Sequence, residues 1–182
     1  MFKKKFAPVL LSLLVLSGCA SMIPSGPERT TTVASVDPVR YAGTWYELGS
    51  VKQFFSAGLV NTTANYTVTP DGQALVVVNS GRYFAANGPE STVIGSAFPV
   101  DSTFARLNVS FSGSNSTQPP GNYWIVDLDP DYQWAIVSDA SGQSGFILSR
   151  TKSVTPAAYQ DLLNRAEAKG VNIGAITPTP QF

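Results

Sequence analysis

Histidine is absent from all 182 residues, which removes the commonest general base and the commonest metal ligand together. Serine–histidine and cysteine–histidine nucleophiles cannot be assembled from such a chain, and a zinc site of the usual kind would need several cysteines where this chain has one, Cys19. Asp127, Asp129 and Asp131 alternate as at the start of a calcium loop. The loop's sixth position is Tyr132 where glycine is required and its twelfth is Ser138 where glutamate is required, so the three read as turn carboxylates. Glu47 is the acid best placed to face an interior. No metal, no cofactor and no enzymatic reaction is expected from this inventory.

Cys19 is the exception in reactivity. It closes Leu16-Ser17-Gly18-Cys19 behind Lys3, Lys4 and Lys5 and an apolar run from Phe6 to Leu16 that only Pro8 and Ser12 interrupt. The run is well short of the roughly 20 residues of a spanning helix, so residues 1–18 read as a signal peptide. The four residues resemble a bacterial lipobox, which implies that Cys19 is lipidated and becomes the first residue of the mature chain. The partner implied is a membrane, reached through an N-terminal lipid anchor. Ala20 is not the aspartate that often retains lipoproteins at the inner membrane, so the expected location is the cell envelope, at the outer membrane where the host has one. Residues 19–36 carry Pro24, Gly26, Pro27 and Thr30-Thr31-Thr32 with few bulky apolar side chains, the composition of a flexible tether. The folded domain is then 37–182.

Without its first 18 residues the chain has 9 basic and 12 acidic side chains. No lysine/arginine cluster survives, so the positive field that nucleic acid requires is missing. One domain of this size buries enough surface to need no disulfides. Few charges, many aromatics and abundant threonine, valine, serine and asparagine make an all-β chain the expectation.

Eight segments of strand composition recur with turn residues between them: 44–52, 61–68, 74–82, 91–98, 106–111, 122–128, 134–138 and 145–150. Thr69-Pro70-Asp71-Gly72, Asn87-Gly88-Pro89, Pro119-Pro120-Gly121 and Ser141-Gly142 supply the turns. Short links imply antiparallel neighbours in chain order, and the simplest arrangement is an up-and-down meander closed on itself. Thr155 then suits a helix cap and Pro156 a first helical position, while Tyr159, Leu162, Leu163 and Ala166 share one face before Lys169-Gly170. This single amphipathic helix should pack outside the sheet.

Gly43 and Trp45 open the first strand and Arg150 closes the last. This pattern resembles the lipocalin family, matching its glycine-X-tryptophan motif and its last-strand arginine. Residues 127–132 match the family's second motif loosely, being one residue longer. With Cys19 ahead of such a body, the chain is most similar to bacterial outer-membrane lipoprotein lipocalins, which implies an eight-stranded barrel around a small hydrophobic ligand. Trp45 and Arg150 are expected to meet where the barrel shuts, the cation over the ring contributing about 0.5 to 2 kcal/mol.

Alternation selects one face of each strand. Its candidate ligand-binding residues are Ala64, Tyr66, Val77, Asn79, Val93, Val109, Phe111, Tyr123, Ile125, Val137 and Phe146, with Ala64, Gly95, Ala97 and Ala135 small enough to leave room. An apolar hollow with a few polar handles is the usual form of a hydrophobic-ligand pocket. A fatty acid or lysophospholipid is the ligand the resemblance favours, and the sequence leaves a homodimer open. The competing readings are a barrel enzyme acting on a lipid or isoprenoid through Glu47, and a structural envelope protein whose barrel is packed full. Phe54 and Phe55 fall where the family places the long loop over the barrel mouth, and either gate the pocket or pack with the first strand.

Overall fold

The structure, a computed structural model, describes residues 30–54 and 56–182. The expected signal peptide, Cys19 and Phe55 lie outside the described residues. Eight strands follow in chain order: β1 (Gly43–Val51), β2 (Leu59–Val68), β3 (Leu75–Tyr83), β4 (Glu90–Pro99), β5 (Arg106–Ser110), β6 (Tyr123–Leu128), β7 (Trp134–Ser138) and β8 (Gly145–Ser149). Each pairs antiparallel with the next, and β1 pairs with both β8 and β2, so the sheet closes into the expected barrel. Closure pairs each of these strands on both sides along part of its length, which limits the edge an all-β chain offers for association.

Two elements were not read from the sequence near this seam. A one-turn helix, α1 (Pro38–Tyr41), precedes β1, with the Asp37 carboxylate accepting from Val39 N at 2.8 Å as its N-cap. A ninth strand, β9 (Ile176–Pro178), pairs with β1 over Gly49–Val51. The ladder between β1 and β2 covers only Gly43 to Tyr46. Segment 176–182 fills the gap that remains: Asn61 N donates to Pro180 O at 2.8 Å, and Gln181 Nε2 bridges Glu47 O and Thr62 O at 2.9 Å each.

Two apolar layers back the wall. Inside, Trp45, Tyr41, Leu75, Leu107, Ile125 and Val137 pack into one cluster. Outside, Leu48, Trp124, Ile136 and Ile147 meet Leu162 and Ala166 of α2 (Pro156–Ala168), the expected external helix. Thr155 caps α2 by accepting from Ala158 N at 3.2 Å, with Pro156 behind it.

The expected spacer needs one correction. Thr30 and Val36 are buried, Thr30 Oγ1 donates to Asp139 O at 2.7 Å, Val33 N donates to Ile125 O at 3.0 Å, and Val36 N donates to Thr103 O at 2.8 Å. Residues 30–36 are therefore laced to the barrel, and the folded body starts before Asp37. Backbone groups make two of these three bonds, so small polar side chains do not prevent docking.

Candidate functional site

At the closed end of the barrel, the Arg150 guanidinium carbon lies 3.7 Å from the centroid of the Trp45 ring. The same guanidinium donates to Arg40 O, Ala42 O and Thr44 O at 2.8, 3.0 and 2.9 Å, and to Tyr132 O at 3.2 Å. It thereby caps the carbonyl end of α1, where a cation is favoured. Gly43 adopts φ +90, and a Cβ there would sit 3.5 Å from the arginine. The motif's glycine thus serves a backbone turn beneath the guanidinium, which few other residues could make. Arg40 lies over the Tyr132 ring at 4.1 Å, and Asp37 N donates to the Tyr132 hydroxyl at 2.9 Å. The loosely matched loop 127–132 therefore joins this assembly. Of its carboxylates, Asp127 pairs with Arg165 at 3.2 Å and Asp129 accepts from Gln133 N at 3.1 Å, as turn and helix contacts.

Above Trp45 the rings continue inward. Tyr41 lies 5.0 Å from Trp45, Tyr66 lies 5.4 Å from Tyr41, and Tyr123 lies 6.2 Å from Tyr66, centroid to centroid. Burial pushes the Tyr66 phenol up to about 12, and pushes Tyr41 and Tyr123 well above 10, because a phenolate would lose its hydration there.

Over this floor lies a cavity of about 450 Å³, within the usual range for ligand pockets. Eight of the eleven expected residues line it: Ala64, Tyr66, Val77, Asn79, Val109, Phe111, Tyr123 and Phe146. Val51, Gln53, Asn122 and Ser144 rim it, which places its mouth at the end carrying the β1–β2, β5–β6 and β7–β8 loops. Phe54, in the first of these loops, is 95% exposed. A shallower depression of about 530 Å³ adjoins it between β5 and the loop after it, lined mainly by serine and asparagine.

Three expected lining residues are corrected. Ile125 and Val137 face inward but are fully buried in the packed layer under the cavity. Val93 is 42% exposed and absent from the wall. The reason is that β5 pairs only with Ser96 to Pro99 of β4 and ends at Ser110, leaving the Val93 stretch without a neighbour on that side. A Cβ on Gly95 would sit 2.6 Å from the Phe111 ring, so that ring leans across the glycine.

Thr62, Thr63 and Leu148 also line the cavity, as does Glu47. The β2–β3 register breaks between Val60 and Thr63, and Thr63 borders the cavity beside Ala64. Glu47 is buried, and its Oε1 accepts from Ser50 Oγ at 2.8 Å, from Lys52 Nζ and from Thr179 Oγ1. Lys52 Nζ also donates to Thr179 Oγ1 at 2.6 Å. A buried carboxylate needs such a partner, and here the segment 176–182 helps to supply it. Asn79 Oδ1 and Thr62 Oγ1 are buried without a hydrogen-bond partner.

The Lipocalin-like domain family matches residues 36–181. Temperature-induced lipocalin-1 of Arabidopsis thaliana is 34% identical over 165 residues, covering 85% of this chain and 84% of that protein. The outer membrane lipoprotein Blc of Escherichia coli K12 is 34% identical over 156 residues, covering 85% and 84%, and that of Citrobacter freundii is 32% identical over 170, covering 93% and 92%. Among solved structures, the cockroach allergen Per a 4 superposes with a TM-score of 0.60 at 19% identity over 84% of this chain and 92% of that one. Lobster apocrustacyanin A1 gives 0.58 at 18% identity over 79% of each. With its glycine, tryptophan and arginine assembled at the closed end and a hollow barrel above them, the chain belongs to the lipocalin family.

Proposed function

We propose that this protein is an envelope lipocalin, anchored through a lipid on Cys19, that carries a small hydrophobic ligand in its barrel without altering it. The observation that carries the reading is the cavity itself, about 450 Å³ walled largely by Ala64, Val77, Val109, Phe111, Phe146 and Leu148. A barrel packed full, the structural alternative, leaves no such hollow. An acyl chain entering it would gain about 25 cal/mol per Å² of apolar surface removed from water, less the losses of association. A fatty acid or lysophospholipid suits this wall, the tail inside and the charged head at the mouth. Against turnover, Glu47 is already engaged by Lys52, Ser50 and Thr179, and the chain has no histidine to complete an acid–base pair.

The similarity to the outer membrane lipoproteins Blc supports the envelope location. Displacement of a fluorescent fatty acid by unlabelled palmitate and lysophospholipid tests the ligand class. Micromolar competition is expected, and no binding of either would reject the carrier reading. Cys19→Ser should move the protein from the membrane fraction to the soluble fraction.

A further inference from the structure

Three phenol hydroxyls meet at the floor of the cavity, joined by two hydrogen bonds. Tyr66 donates to Tyr123 Oη at 3.0 Å, and Tyr41 Oη lies 2.7 Å from the same oxygen. Each phenol has one proton to give, and the Tyr123 oxygen can accept two. One of the three protons is therefore left over.

Burial decides which. Tyr41 is fully buried and takes no part in the cavity wall, so a spare proton there would be sealed in the core without an acceptor, an arrangement folded proteins avoid. With Tyr41 and Tyr66 both donating, the spare proton belongs to Tyr123, which does line the cavity. Burial holds all three phenols above the ordinary tyrosine value, so the donor stays protonated through the neutral range. The charged residue in the wall is Glu47, and among the described residues no lysine or arginine lines the cavity. An anion drawn to the floor would lose its hydration and find no cation in exchange. An uncharged oxygen meets a waiting donor at much smaller cost.

We propose that Tyr123 is a hydrogen-bond donor at the cavity floor and selects a long apolar ligand whose leading end carries an uncharged acceptor, such as a ketone, aldehyde or ester carbonyl. The proposal rests on the carrier reading and goes beyond its fatty acid and lysophospholipid, whose tails end in a methyl, to a ligand with an acceptor oxygen at the buried end.

The test uses the full-length chain and the uncharged fluorophore N-phenyl-1-naphthylamine, displaced by 2-decanone and by decane, in the wild type and in Tyr123→Phe. The variant should bind 2-decanone about fivefold more weakly and decane about as well as before. The carbonyl stretch of bound 2-decanone should be lowered in the wild type and return to its value in alkane solvent in the variant. A ketone-to-alkane preference that survives Tyr123→Phe overturns the proposal and leaves the carrier reading standing. If the wild type binds neither the fluorophore nor either competitor, both fall. Should Tyr123→Phe fail to fold, the stretch in the wild type decides, and an unlowered frequency overturns the proposal.

Discussion

The guanidinium of Arg150 covers the Trp45 indole at 3.7 Å while the indole nitrogen donates to Tyr41 O at 2.8 Å, so one pair joins the end of β8 to α1 and the start of β1. Lysine at 150 would keep the charge but lose the planar fork that reaches several carbonyls at once. Arg150→Lys should lower the unfolding free energy by about 2 to 3 kcal/mol and leave ligand affinity nearly unchanged. Urea denaturation and fluorophore displacement on the same preparation measure the two effects.

Alkaline pH should unfold the barrel through its tyrosines. Because Tyr66 titrates near 12 in the folded chain and at 10.0 without burial, its stabilisation is complete below pH 10 and is lost as pH rises toward 12. Each such tyrosine steepens the decline by about 1.4 kcal/mol per pH unit in that window, and Tyr41 and Tyr123 shift in the same direction. Stability measured against pH should fall steeply above 10. Tyr66→Phe should flatten the slope.

Removing residues 176–182 takes away the β9 ladder, the Thr179 contact to Glu47 and Lys52, and the Gln181 bridge. The expected loss is about 2 to 4 kcal/mol, read by thermal or urea unfolding. The shortened chain should also release ligand faster in a stopped-flow competition, since the wall would open between β1 and β2.

Ala64→Phe fills the hollow from its wall. Packing a ring into an existing cavity strains the fold less than packing one into a full core. Affinity for a fluorescent fatty acid should drop by at least about tenfold while the unfolding midpoint stays near that of the wild type; each 1.4 kcal/mol of lost binding is a factor of ten.

Much of the fold is written locally. Period-two segments between proline and glycine turns locate all eight barrel strands to within two residues, and the spacing of Gly43, Trp45 and Arg150 identifies the closing contact. What is not legible depends on partners distant in the chain. Alternation tells which face Ile125 and Val137 present but not how deep they lie. Val93 is exposed because β5 ends early, a property of Ser110 and not of Val93. The register break between Val60 and Thr63 is announced by no side chain. β9 is three residues ending in proline, too short to read without the β1 edge beside it. Residues 30–36 dock largely through backbone groups, which every composition shares.

That docking also sets a leash. With Cys19 held in a bilayer, the covalent reach to Thr30 is eleven residues, at most about 40 Å. Thr30 is fastened to Asp139, in the loop whose Ser144 belongs to the cavity rim. On the anchored reading, the opening of the cup would stay within a bilayer's thickness or so of the membrane surface, and cargo would pass between leaflet and barrel with little exposure to open water.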